Sequence, residues 1–133
     1  MIFVDADALI GLRVKEDAHY NIAKQILNDL DEEGETLVTS WQAVDEVATK
    51  LAYFDKKKNA LDFLKWLFKS DVEVVYIDSR LAKKAVKKFK EQISKRVSLT
   101  DCVNMIIAEE MGVKQIFSFD KHYQRNGFKL LGK

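Results

Sequence analysis

Apolar positions follow two rhythms along this chain. The first is an unbroken run, Met1-Ile2-Phe3-Val4, that ends on Asp5. No polar residue alternates within it, so both faces ask for burial, as in a central strand of a parallel sheet. In open α/β sheets the ligand crevice lies outside the carboxyl ends of the strands, and Asp5 falls at such an end. Gln115-Ile116-Phe117-Ser118-Phe119 repeats the pattern and runs into Asp120. Further strands are expected at 36–39, 72–77 and near 128–131. The last of these follows a turn at 121–127.

The second rhythm is helical. Ile22, Ala23, Ile26, Leu27 and Leu30 share one face of a helix over 19–30. A short helix is expected over 6–12, with Asp7 as its cap, followed by a polar loop over 13–17. Ser40 is the natural N-cap of a helix over 41–54, and Asp55 of one reaching Lys69. Among the crowded aromatics Tyr53, Phe54, Phe63, Trp66 and Phe68, most are expected in the core. A helix capped by Asp78 or Ser79 carries the stripe Leu81, Ala82, Ala85, Val86, Phe89 and Ile93, with Lys83, Lys84, Lys87, Lys88 and Lys90 opposite. That lysine face reads as a solvated exterior. The last long helix runs from Asp101 to Met111, where Gly112 signals its end.

Strands alternating with helices give a single α/β domain over residues 1–133. The expected architecture has three layers, α/β/α, around a mostly parallel sheet of four to five strands. Proline is absent and glycine scarce (5 of 133 residues), which leaves no room for linkers. The single cysteine, Cys102, excludes an intrachain disulfide and fits a reducing cytoplasm. No apolar run approaches a membrane span, and no signal peptide is expected. Lys and Arg number 22 against 21 Asp and Glu, a net charge of +1, so nucleic-acid affinity must come from local patches.

Several acids can converge at the carboxyl edge. Asp5 and Asp120 end strands, while Asp101 opens the helix that leads into the second of them. A carboxylate at a helix N-terminus is also an ordinary cap. Glu46 falls almost opposite the stripe Trp41, Val44, Val47, Ala48 and Leu51, so periodicity alone places it on the surface.

The motifs Val4-Asp5-Ala6-Asp7-Ala8-Leu9-Ile10, Ala43-Val44-Asp45-Glu46-Val47 with Leu51, Ser98-Leu99-Thr100-Asp101 with Ala108, and Ser118-Phe119-Asp120-Lys121-His122-Tyr123 together resemble PIN-domain ribonucleases, and most of all the small VapC-type toxins. The resemblance covers nearly the whole chain. It implies a PIN-like fold and four metal-site acids at Asp5, Glu46, Asp101 and Asp120, with Ser118 at the family's Ser/Thr position. The second acid is Glu46 rather than its neighbour Asp45, because of the spacing to Val47 and Leu51. Asp7 stands where the family often has Asn or Ser; it reads as a helix cap or an extra ligand. The resemblance also implies dimerisation and an antitoxin protein as partner.

Such a cluster calls for a cation. Two carboxylates about 4 Å apart repel by roughly 4 kcal/mol at an effective dielectric near 20. Oxygen ligands suit one or two Mg²⁺ or Mn²⁺ ions, and no His/Cys set has zinc spacing. The expected reaction is hydrolysis of an RNA phosphodiester by a water that the ion activates. Lys121, His122, Arg125 and Arg13 are the expected RNA contacts, with Ser98, Thr100 and Asn104 in supporting positions; for Ser98 and Thr100 the plainer role is helix capping. Two other readings stay open. Asp5 and Asp7 also match the DxD opening of haloacid-dehalogenase-type phosphatases, as nucleophile and general acid/base. Against it, Ala8-Leu9 stands where those enzymes have Gly-Thr, and Lys121 follows Asp120. The third reading is a catalytically inert PIN-like binding module.

Overall fold

The computed structural model describes residues 1–54 and 56–132. Five strands form one sheet, β1 (Ile2–Val4), β2 (Leu37–Ser40), β3 (Glu73–Val75), β4 (Gln115–Phe117) and β5 (Lys129–Leu131), in the order β3-β2-β1-β4-β5. Every pairing is parallel. The apolar run at the N-terminus is therefore the middle strand, buried on both faces as its composition requires. Successive strand residues point to opposite faces. Ile2 and Val4 enter one core with Leu9, Phe63, Leu67 and Phe117. Phe3 enters the other with Val38, Cys102, Met105, Ile107 and Ile116.

Helices α1 (Ala6–Arg13), α2 (Tyr20–Glu32), α3 (Trp41–Phe54) and α4 (Lys57–Lys69) cover the first face, and α5 (Ser79–Glu91) and α6 (Leu99–Glu110) the second. A single turn, α7 (His122–Arg125), lies inside the expected 121–127 turn. The chain builds β1, β2 and β3 outward in one direction, then returns to place β4 on the other side of β1. The strand order reverses at β1, which opens a crevice beyond the carboxyl ends of β1 and β4.

Several boundaries differ from expectation for local reasons. Asp5, not Asp7, caps α1, its Oδ1 accepting the Ala6 N–H at 2.7 Å. The helix α6 begins two residues earlier than expected, capped by Ser98. Ser98 Oγ accepts the Asp101 N–H at 3.0 Å and Asp101 Oδ2 accepts the Ser98 N–H at 2.9 Å, a reciprocal capping box. Thr100 is thus inside the first turn and caps nothing. At the other end Gly112 takes φ +69°, and the Val113 N–H reaches the Ala108 carbonyl at 2.8 Å, which closes the helix as expected. Ser40 Oγ accepts the Ala43 N–H at 3.0 Å, as an N-cap should. The expected cap Asp55 lies outside the described residues.

The aromatic cluster splits. Phe63 is core and Trp66 packs against it, but Tyr53, Phe54 and Phe68 are exposed. The inward face of α4 is Ala60, Phe63 and Leu67, so Phe68 falls one position off it. Ile93 lies beyond the end of α5 and is fully exposed, not part of its stripe. The lysine face of α5 is partly paired: Arg80 and Lys84 bind Glu110 and Lys88 binds Glu109, which ties α5 to α6.

Candidate active site

Asp5 leaves β1 directly into α1, so its carboxylate is held at the strand's end by its own capping bond. Its side chain is buried, with 7% of the residue exposed. Oδ1 accepts a second bond from Asn104 Nδ2 at 3.0 Å, and Oδ2 lies 3.3 Å from Ser118 Oγ. Asn104 comes from α6, one turn past Asp101, and is fully buried. Its Oδ1 accepts the Ser40 hydroxyl at 2.6 Å, and its Nδ2 also donates to Tyr123 Oη at 3.1 Å. The Tyr123 hydroxyl in turn donates to Asp101 Oδ1 at 3.3 Å. A chain of hydrogen bonds thus joins the ends of β1 and β2, the start of α6 and α7, and it fixes Asp5 against Asp101.

Asp7 and Asp120 occupy the β4 side of the crevice. Asp7 Oδ2 accepts the Phe119 N–H at 2.9 Å and the Ser118 hydroxyl at 3.1 Å. Ser118 Oγ also accepts the Asp120 N–H at 3.0 Å. Asp7 is therefore a tie between α1 and the β4 turn, which corrects the expectation of a cap. Asp120 Oδ1 accepts the His122 N–H at 3.0 Å and lies 3.3 Å from His122 Nε2. One ligand atom from each of Asp101, Asp120 and His122 lies within 4.8 Å of the others.

The electrostatics are those of crowded acids. Burial, then the Asp7 and Asp101 charges, push the Asp5 carboxyl up to about 8, against the bonds from Ala6 and Tyr123. Burial also raises Asp7, with the Asp120 charge adding to it, although the bonds from Phe119, Ser118 and Ala8 pull the other way. Tyr123 is pushed well above its usual range, first by burial and then by Asp5 and Asp101.

Of the four expected ligands, Asp5, Asp101 and Asp120 belong to this network. Glu46 sits on α3 with its side chain 39% exposed and pairs with Lys50 at 3.4 Å. Among the expected RNA contacts, Lys121 and Arg125 border an open groove of about 530 Å³ beside Asp120, together with Arg96. His122 turns inward to Asp120, its side chain only 11% exposed. Arg13, the last residue of α1, lies over the Trp66 ring at 5.7 Å from its centroid, away from the acids. Sequence reasoning missed Tyr123, the inward turn of His122, the bond from Ser40 to Asn104, and Arg96. Only Tyr123 gave a signal: a tyrosine three residues past a strand-ending acid has a hydroxyl long enough to reach its neighbours.

The residues fit a divalent cation. Asp7 Oδ1 and His122 Nδ1 are buried without hydrogen-bond partners, and the surrounding donor set is carboxylate oxygen with one imidazole. Asp5 holds its charge only at a cost that a cation would remove.

A family model of the PIN domain matches residues 2–129. The chain is 26% identical to the VapC ribonuclease of Aquifex aeolicus (strain VF5) over 136 residues, covering 97% of this chain and 94% of that protein. Its fold resembles the crystal structure of VapC20 of Mycobacterium tuberculosis, a toxin that cleaves the sarcin–ricin loop, with a TM-score of 0.86, 20% identity and 96% of each chain covered. It also resembles VapBC2 of Rickettsia felis, solved bound to a DNA fragment from its promoter, at a TM-score of 0.67 and 15% identity over 98% and 97% of the two chains. These two structures speak for the fold, and the family model spans both strand-ending acids and the helix between them. The chain belongs to the PIN-domain family.

Proposed function

We propose that this chain is a metal-dependent endoribonuclease and the toxin of a toxin–antitoxin pair. The observation that carries the reading is the hydrogen-bonded frame that sets Asp5 against Asp101 through Asn104 and Tyr123, at the edge where Asp120 also stands. Asp5, Asp101 and Asp120 would hold one or two Mg²⁺ or Mn²⁺ ions, with Glu46 swinging from Lys50 as the fourth ligand. When bound, the ion lowers the pKa of a water and offsets charge gathering on the phosphodiester. The chain's own part is positional. Asn104 and Ser118 hold the two oxygens of Asp5, so the carboxylate needs no reorganisation when substrate arrives. Lys121, Arg125 and Arg96 share the lining of one groove with Asp7 and Asp120, which offers cations to the phosphates of a single strand beside the acids.

The similarity to VapC proteins supports RNA as substrate and an antitoxin protein as partner. The exposed side chains of Tyr53 and Phe54 offer apolar surface of the kind that a second copy or an antitoxin segment would cover. Among the described residues no helix is long and apolar enough to cross a membrane. We place the protein in the cytoplasm, where its free Cys102 would stay reduced.

The test is RNA cleavage by wild type with and without EDTA, beside Asp5→Asn. Loss of cleavage under either treatment is expected. Cleavage that survives EDTA refutes the metal dependence, and cleavage that survives Asp5→Asn refutes the site.

A further inference from the structure

The imidazole of His122 is an unusual neighbour for a cluster of carboxylates. It reaches them because Asp120 Oδ1 accepts the His122 backbone N–H at 3.0 Å, which folds the first turn of α7 back on the acid. Nε2 then stands 3.3 Å from the same oxygen, while Nδ1 is buried with no partner. The ring is nearly buried, and the protein does not hold it through its second nitrogen. A neutral imidazole carries one N–H and one bare lone pair. With the lone pair on Nε2, two electron-rich atoms face each other; with the proton there, the buried Nδ1 has nothing to accept.

A cation between Nε2 and the carboxylates removes the first conflict. Around an octahedral ion with ligands at roughly 2.1 Å, neighbouring ligand atoms stand about 3.0 Å apart and opposite ones about 4.2 Å. The Asp101, Asp120 and His122 ligand atoms, all within 4.8 Å of one another, need only a small contraction to meet that geometry. We propose that His122 is itself a ligand, and that Asp101, Asp120 and His122 form a mixed nitrogen–oxygen site that takes a first-row transition ion in preference to Mg²⁺. The chemistry of the donors sets the preference. Mg²⁺ favours oxygen and gives up its waters reluctantly, whereas imidazole binds transition ions well. The inference rests on the nuclease reading of this cluster and adds which ion the site selects.

The test is Mn²⁺ and Mg²⁺ binding to the full chain by calorimetry, with pulsed electron paramagnetic resonance of the Mn²⁺ complex. His122→Phe keeps the ring shape and gives up no hydrogen bond from Nδ1, so the variant should fold. Wild type should show hyperfine coupling from a directly bound imidazole nitrogen, and His122→Phe should lose it. The Mn²⁺ over Mg²⁺ affinity ratio should also fall by about tenfold or more, the scale on which altered metal ligation shows. Should the variant misfold, the wild-type spectrum still decides. Mn²⁺ bound through oxygen alone, or an unchanged ratio in the variant, overturns the role of His122 and leaves the nuclease reading standing. Failure of wild type to bind Mn²⁺ at all overturns both.

Discussion

Asp5→Asn should abolish the nuclease and, in the absence of metal, make the protein more stable. Asparagine keeps the geometry almost intact. Its Oδ1 can go on accepting from Ala6 and Asn104, and its Nδ2, in place of Oδ2, can donate to Ser118 Oγ. The Ser118 proton is then free for Asp7, which it already serves at 3.1 Å. What changes is the charge. In the fold the Asp5 carboxyl is pushed from 3.8 up to about 8, chiefly by burial and then by Asp7 and Asp101. The unfolded chain gives up this proton from about pH 4, while the fold keeps it to about pH 8, so the native state binds more protons across that window and stability falls as pH rises through it. With one pKa unit worth about 1.36 kcal/mol, the penalty near pH 7 is roughly 4 kcal/mol. Asparagine carries none of it. Urea denaturation in EDTA should therefore find the variant more stable than wild type near pH 7, with the two converging near pH 4. Adding Mn²⁺ should close most of that gap, because an ion at one hundred times its Kd stabilises wild type by about 2.7 kcal/mol and the variant by much less. A variant less stable than wild type near pH 7 in EDTA, or one that gains as much from Mn²⁺, would refute the view of Asp5 as a carboxylate strained for want of a cation.

Tyr123→Phe removes the hydroxyl that joins Asn104 to Asp101. We expect a lower kcat at unchanged KM for RNA, with the fold weakened by about 1–3 kcal/mol; steady-state kinetics beside urea midpoints check both. Lys121→Ala and Arg125→Ala, placed in an Asp5→Asn background, should weaken RNA binding and flatten its salt dependence by about 0.7 for each phosphate no longer neutralised, read from Kd across a salt series. Glu110 is held down to about 2 by its bonds to Arg80 and Lys84, below its usual 4.5. Its contribution to stability is complete above pH 4.5 and fades as pH falls towards 2, so Glu110→Gln should show a shallower loss of urea midpoint than wild type over that acid range.

The sheet was legible because its signal is local. A strand buried on both faces must be continuously apolar, and Ile2-Phe3-Val4 leaves no other reading. The reversal of strand order at β1 follows from which strands lie beside it, and no stretch of sequence states that. Glycine and cap chemistry gave the α3 start to the residue and the α6 end to within one, through Ser40 and Gly112. The α6 start was misplaced because Ser98 and Asp101 are both good caps, and only the reciprocal bonds decide between them.

The site was legible only as a set of acids, for a physical reason. Periodicity reports whether a side chain faces core or solvent, and buried polar residues obey neither rule; they go where partners satisfy them. Asn104 lies on the buried face of α6 among Cys102, Val103, Met105 and Ile106, where a pattern reader expects an apolar residue. It is tolerated there because Ser40, Asp5 and Tyr123, which lie 64, 99 and 19 residues away, supply its partners. Asp7 looked like a cap because it opens a helix. Its true partner, the Phe119 N–H, lies 112 residues away. The polar contacts that distinguish a working crevice from a merely acidic edge are thus long-range by nature. Asp101 shows the same division within one carboxylate, since Oδ2 caps its own helix and Oδ1 takes the tyrosine hydroxyl from α7. The first bond could be read from a three-residue spacing, and the second exists only because β4 packs beside β1 and carries α7 to that edge.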